Sequence, residues 1–463
     1  MDDTAIPPKE VLYNAKMATF MRIPDSSQAW NFARELANET GRAEMEYKPR
    51  QRRRSTTQRE VFLKGVGALG GELVRHSGNL DAKGFCYRAA DRAAFTGTGI
   101  SSRNFEHLTE LWEKIGLIEM VRGYGVRDDP DSDLGGGVRG YAARLRATQK
   151  LMAIAGRHDL TPENVWQHFK ETFDDSLPVV VRAKKGKHAR TTTGAGRTLK
   201  LESSERLEGI ADTIRRINVA LRATRWNLEA TPFLVRIFSN GDDPNYSYNK
   251  GGRLYCRTED NYQQRKQAER LKITMNGEPC AEVDVRASQL AIYSARYGVS
   301  LHPDEDPYEI EGVERDVVKG LVTASFGNGG LPTRWPRGLR EDYLARHGRK
   351  IGDAYKLKDV KDRLLARHPV LSKLKLGKND ALVLQYEESE AIIAAMLRLI
   401  DLYDVVALPV HDSLVTAGSD IISAEDVLHW AYRERFGIEI RTRIEWGSVQ
   451  PPRLYRGWED FGS

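Results

Sequence analysis

Two aspartates stand at the ends of short apolar runs. Ala281-Glu282-Val283-Asp284-Val285 reads as a buried strand closing on an acid. Val405-Val406-Ala407-Leu408-Pro409-Val410 reads as a second strand, with His411-Asp412-Ser413 at its end before Leu414-Val415 continues. An acid on a hairpin turn beside an acid at a strand end lets two carboxylates share two Mg²⁺ ions, with Mn²⁺ an alternative. Such a pair activates a hydroxyl and stabilises a leaving pyrophosphate. Between the two acids, Arg315 and Lys319 lie one turn apart on a helical pattern, on one face, within reach of a nucleotide triphosphate. Phe326, further along, could stack on a base. Taken singly, each piece has an ordinary explanation: a strand ending in Asp is common, and Arg and Lys four apart usually mark a solvated helix face. Their order and context carry the signal.

These residues need a mixed α+β scaffold, with strands to present the acids and helices to present the cations. A helix is expected after Asp284, through Tyr293 and Tyr297. Glu202 to Leu228 reads as a long packing helix carrying Ile210, Ile214, Ile217 and Leu221. Leu160 to Phe173 reads as another, opened by Thr161-Pro162-Glu163. Upstream, Val61, Leu63, Val66, Leu69, Leu73 and Val74 recur at helical spacing, although four glycines weaken the pattern. Asp91 to Phe95 is expected to end a helix and Thr96-Gly97-Thr98-Gly99 to form a turn. Ser101 or Ser102 then caps a second helix that exposes Arg103, Asn104 and His107. Gly116 closes that helix, Leu117 to Val121 follows as a strand, Asp128 to Gly137 as a loop and Val138 to Leu145 as a returning strand. Helix, turn, helix and hairpin is the order of a winged helix, whose second helix enters the major groove of duplex DNA, with Arg122 at the wing. A small helical bundle without a DNA partner is the alternative.

The expected layout is an N-terminal arm at 1–56, containing a short amphipathic pattern from Trp30 to Leu36. A winged helix follows at 57–150, a helical, thumb-like linker at 151–232, and the acid-bearing domain at 233–463. The net charge is +6 and the pI near 9.0. Positive charge is concentrated in Lys48 to Arg54 and in Arg182 to Arg190, runs that can track a phosphate backbone. No apolar stretch is long enough for a membrane span, and no secretory signal is read at the N-terminus. Cys86, Cys256 and Cys280 form no CxxC pair. The cytoplasm is the expected compartment.

The segments around Asp284, Arg315 and His411-Asp412 resemble motifs A, B and C of family A DNA polymerases, in particular reduced forms carried by phages and mobile elements. Gly251-Gly252-Arg253-Leu254-Tyr255 with Asn261-Tyr262-Gln263 is similar to that family's element against the primer–template duplex. Gln385 matches the glutamine of the helix before motif C. The resemblance implies a right-hand palm with fingers, DNA primer–template and nucleoside triphosphates as partners, and Asp284 and Asp412 as metal ligands. It further implies Arg315 and Lys319 on the triphosphate, Lys319 as proton donor to pyrophosphate, His411 at the primer terminus, and Arg253 and Gln385 on nucleic acid.

Four features depart from the family pattern, the first being that the aromatic-Gly pair Phe326-Gly327 lies one residue closer to Lys319 than in motif B. Ser288-Gln289-Leu290 sits two residues further from Asp284 than in the family. Ala291 stands where a glutamate would exclude the ribose 2′-hydroxyl, and Ser413 replaces the glutamate of motif C. The leading expectation is a template-directed DNA polymerase for a plasmid, phage or mobile element. A non-catalytic replication initiator with a vestigial palm, and a primase or template-independent nucleotidyltransferase, are the alternatives.

Overall fold

The computed structural model describes residues 7–49, 51–89, 95, 98–127, 138–172, 177–184, 196, 198–228, 230–258, 261–302, 305–374 and 380–447. The chain is mixed α+β and divides into two compact units, residues 1–176 with 190–194, and 177–189 with 195–463. This division near residue 176 falls within the expected helical linker at 151–232.

In the first unit, α1 (Lys9–Tyr13), β1 (Lys16–Met17) and β2 (Arg22–Pro24) lead into α2 (Ser27–Tyr47). The expected short amphipathic stretch is therefore a 21-residue helix, capped by Ser26 and burying Ala29, Phe32, Ala33 and Leu36. α3 (Thr56–Ser77) forms despite its glycines, because a capping box of Ser55 and Gln58 starts it and close packing uses them. A Cβ on Gly67 would lie 2.3 Å from Pro24 Cγ, and one on Gly71 2.7 Å from Phe169 Cε1. Strand β3 (Cys86–Tyr87) precedes α4 (Ser102–Lys114), capped by Ser101, whose stripe of Phe105, Leu108, Leu111 and Trp112 is buried. Four strands follow: β4 (Ile118–Val121), β5 (Tyr124–Arg127), β6 (Val138–Tyr141) and β7 (Arg144–Ala147). β4 pairs with β7 and β5 with β6 in one continuous register, so the expected two-strand hairpin is a ribbon of four short strands.

α5 (Gln149–Gly156) comes next, and then the helix expected from Leu160 to Phe173 is replaced by a short 3₁₀ turn and strand β8 (Phe169–Glu171). Pairing with β2 outweighs local helical spacing here. The expected elements at 91–94, at Thr96-Gly97 and at Asp128 to Gly137 lie outside the described residues, as does most of the second basic run. The first basic run is tied down at both ends, with Lys48 2.5 Å from Glu110 and Arg54 paired with Glu44.

In the second unit, β9 (Val179–Val181), β10 (Leu234–Phe238) and β11 (Gly251–Cys256) form one sheet in the order β11-β10-β9, with α6 (Glu205–Ala223) packed on it. After α7 (Gln267–Arg270) and β12 (Thr274–Met275), the long β13 (Glu278–Val285) runs at the centre of the second sheet. α8 (Ser288–Ala295), α9 (Arg315–Asn328), α10 (Arg337–His347), α11 (Ile351–Ala354), α12 (Leu357–Arg367) and α13 (Asp380–Tyr403) follow. The chain then returns to the sheet through β14 (Leu408–Val410) and β15 (Ser413–Ala417). It crosses in α14 (Ile421–Phe436) and ends in β16 (Thr442–Trp446). β13 is flanked by β15 on one side and β16 on the other, both antiparallel. One continuous core that includes Val283, Leu290, Leu384, Leu414 and Leu428 holds this sheet against α8, α13 and α14. Among the described residues no helix is long and apolar enough to cross a membrane, and the three cysteines are buried and form no disulfide.

Candidate active site

The register of the central sheet brings the two predicted acids together. Asp284 pairs with Ser413, the residue after Asp412, and Val285 N donates to Asp412 O at 3.2 Å. His411 and Asp412 are the two residues of the tight turn between β14 and β15. His411 has φ 59°, a left-handed conformation uncommon outside glycine, so a non-glycine residue is held here by its surroundings. Tyr262 Oη and Gln263 Nε2 both donate to Pro409 O, at 3.0 and 2.9 Å, fixing the strand that leads into the turn. Tyr262 and Gln263, matched above to a duplex-contacting element, thus brace the acid-bearing hairpin.

A third carboxylate, Glu388 of α13, joins the pair. It is almost wholly buried, accepts from Arg253 Nε at 3.0 Å and Ser288 Oγ at 2.8 Å, and its charge acts on both aspartates. Ser288 Oγ also lies 2.8 Å from Tyr432 Oη. Arg253 reaches Glu388 because Gly251 and Gly252, with φ of 75° and 74°, carry β11 through a bulge against α13. The carbonyl of Gly252 is held by Arg236 Nε and Ser389 Oγ, both at 2.8 Å. Arg253 Nη1 also lies 3.5 Å from His411 Nδ1. Partial loss of water, then the nearby Arg253 charge, lowers the His411 pKa and favours the neutral ring.

A fourth acid, Glu282, sits two residues before Asp284 on β13. It is bound by Arg270 through two contacts at 3.0 and 2.7 Å, and accepts from Ser413 Oγ at 2.9 Å. Ser413, which replaces the glutamate of motif C, therefore anchors a glutamate of the neighbouring strand.

Arg253 neutralises Glu388 and Arg270 neutralises Glu282, whereas among the described residues neither Asp284 nor Asp412 has an ion pair. Burial, then the Glu282 charge, raises the Asp284 pKa to about 6, with Lys319 and Arg286 opposing. Burial, then Glu388 and Asp284, pushes Asp412 well above the ordinary carboxylate range. Two close carboxylates that resist ionisation and lack a protein cation fit a divalent ion. Among the described residues no three His, Cys, Asp or Glu side chains are grouped as ligands. Mg²⁺ suits a site with few carboxylates, since it takes its remaining ligands from phosphates and water.

The other predicted residues fall in distinct places. Lys319 is exposed on α9, near enough for its charge to act on Asp284. Arg315, one turn earlier, is paired with Asp306 at 2.5 Å and stands over the Tyr308 ring. Phe326, expected to stack on a base, is 2 % exposed, with its ring against Tyr293 in the core. Ala291 is buried on α8, and Gln385 is half-buried on α13. In the first unit Arg103 and Arg122 are exposed and Asn104 is half-buried. His107, expected to face DNA, is instead 2.5 Å from Glu44. Sequence reasoning missed Glu388, Glu282 and Tyr308. Only Glu282 carried a signal, since it alternates with Asp284 along a strand and shares its face.

No family model matches the chain, and no curated protein matches it. Among solved structures the chain is similar to the POL domain of Pol1 from M. smegmatis in complex with DNA primer-template and dNTP. The identity is 11%, over 95% of this chain and 68% of that chain, at a TM-score of 0.29. A likeness that weak assigns neither a fold family nor an activity.

Proposed function

We propose that the chain is a template-directed DNA polymerase that extends a primer 3′-hydroxyl. The supporting observation is the pair of unneutralised, hard-to-ionise aspartates on adjacent strands, set beside two glutamates that are each neutralised by arginine. Asp284 and Asp412 would hold Mg²⁺, which when bound lowers the pKa of the attacking hydroxyl and offsets charge on the leaving pyrophosphate. The primer 3′-oxygen would lose its proton to water and bond to the α-phosphorus, while the bond from that phosphorus to the bridging oxygen breaks. Pyrophosphate leaves, and Lys319, exposed beside Asp284, donates a proton to it. Arg253 and Glu388 position His411 at the turn, where it meets the primer terminus. The absence of a glutamate at Ala291 leaves the ribose 2′-hydroxyl without a blocking carboxylate in this reading. The first unit would bind duplex DNA through α4 and the β4–β7 ribbon, with Arg103 and Arg122 on phosphates.

Primer extension with Mg²⁺ on primed and unprimed templates tests this, comparing dNTPs with rNTPs. Extension that depends on template and falls by about 10³-fold or more in Asp412→Ala is the expected result. Lys319→Ala is expected to slow single-turnover incorporation by about 10- to 100-fold. No incorporation by the wild-type chain under any of these conditions would instead favour a DNA-binding initiator.

A further inference from the structure

Beyond the acids, the same sheet edge gathers arginines that nothing above has used. The ladder between β13 and β16 sets Asp284 opposite Arg443, and it continues past β13 through Arg286 N, which donates to Arg441 O at 2.7 Å. Directly opposed residues share a face, and so do alternate residues on one strand. Asp284, Arg286, Arg441 and Arg443 therefore lie along one face of this edge. Arg315 approaches from α9, close enough for its charge to act on Arg286.

Four guanidinium groups thus converge beside a catalytic carboxylate. The acids against them are few. Asp306 is held by Arg315 and Glu445 by Arg443, and Asp284, two residues before Arg286, interacts with its charge. Arg286 Nε is buried and has no hydrogen-bond partner among the described residues. Like charges gathered along one edge, with a buried donor left open, favour an anion placed among them.

We propose that Arg286, Arg441 and Arg443, with Arg315 across from them, form a polyphosphate cradle for the triphosphate of the incoming nucleotide and the pyrophosphate it releases. This deepens the nucleotidyl-transfer reading and rests on it for the identity of the substrate. Planar guanidinium forks suit phosphate oxygens in pairs, and the spread of three arginines along an edge suits a chain of phosphates better than one.

The test titrates inorganic tripolyphosphate into the full chain without metal, by calorimetry. It compares wild type with Arg286→Gln, Arg441→Gln and Arg443→Gln, and with Arg349→Gln, at an exposed position on another element, as control. Each cradle variant is expected to weaken binding by about tenfold and to raise nucleotide KM more than it lowers kcat. Arg441 and Arg443 are exposed on an edge strand, so these two decide the matter if Arg286→Gln fails to fold. Wild-type affinity in both edge variants, or no binding by the wild-type chain, overturns the cradle. So does loss of affinity for a short DNA duplex with tripolyphosphate binding unchanged, since the phosphates held would then belong to a backbone. Primer extension separates the two readings. Extension with unchanged KM in the variants removes the cradle and leaves the polymerase. Specific tripolyphosphate binding without any extension removes the polymerase and leaves the cradle.

Discussion

Glu72 and Glu44 in the first unit and Asp284 and Asp412 in the second are all carboxylates drawn out of water, yet their surroundings treat them in opposite ways. Glu72 is 1% exposed and accepts from Thr19 N at 3.0 Å, Thr19 Oγ1 at 2.8 Å and Phe20 N at 2.6 Å, with His76 Nε2 at 3.2 Å. Burial works to raise its pKa, but His76 and the amides outweigh burial and the net direction is down. Glu44 follows the same course, with Arg54 and His107 outweighing burial. Asp284 and Asp412 are half-buried among other acids without a paired cation, and both are pushed up. A carboxylate that only holds a fold together is given partners. One left without them destabilises the fold unless something from outside binds it.

The largest expected effect breaks the first half of that contrast. Glu72→Gln removes the charge that His76 and the backbone amides stabilise, and should cost about 3 kcal/mol in denaturant unfolding. Asp412→Asn should do the reverse in metal-free protein, leaving stability unchanged or raising it by about 1 kcal/mol. A comparable loss in both variants would erase the distinction between structural and functional acids.

The next prediction concerns pH. The Asp284 pKa is raised from 3.8 to about 6, so the metal-free folded state keeps a proton that the unfolded chain has released. That contribution is full below about pH 4 and is lost as pH rises to about 6. Glu44 and Glu72 act with the opposite sign, since their lowered values stabilise the fold above the unfolded pKa and are lost on acidification. Mg²⁺ must displace the Asp284 proton, so its affinity should climb through the same window, and the raised Asp412 extends that climb. Thermal melts with and without Mg²⁺ measure both, and Asp284→Asn should flatten this part of the curve. A wild-type slope that survives the substitution would assign it to another group.

The smallest effect tests the first unit as a binding surface. Arg103→Ala and Arg122→Ala should each weaken duplex binding by about threefold to tenfold and lower the salt slope by about 1, with unfolding unchanged. Equal affinity across low and moderate salt would remove these side chains from any DNA contact.

That the runs ending in Asp284 and Asp412 are neighbouring strands was legible from their order and context, since either acid alone has ordinary structural uses, and the sheet register brings the runs together. Glu388 was not. It lies in α13 between Glu387 and Glu390, and such a string of acids reads as a solvated helix face until the fold shows which of them is enclosed. Ser413 read as the loss of a glutamate, because the Glu282 it anchors belongs to a distant stretch of chain. Residues 1–56 read as an arm although Phe32, Ala33, Leu36 and Ala43 already followed a helical stripe. Proximity of the basic run obscured that stripe. The turn from expected helix to strand at Phe169 could not be read locally, since its cause is a partner strand at Arg22–Pro24, far back along the chain.

The proline in β14 has a bearing on how the molecule keeps to itself. β14 is a border of its sheet, where open backbone groups invite another chain to add a strand. Pro409 has no amide hydrogen to offer, and its carbonyl is already occupied by Tyr262 and Gln263. The border nearest the reactive turn is thereby closed to strand addition. The opposite border, β16, presents the charged Arg443. Replacing Pro409 with a residue that donates would leave the acids in place and open a seam along which two copies could join.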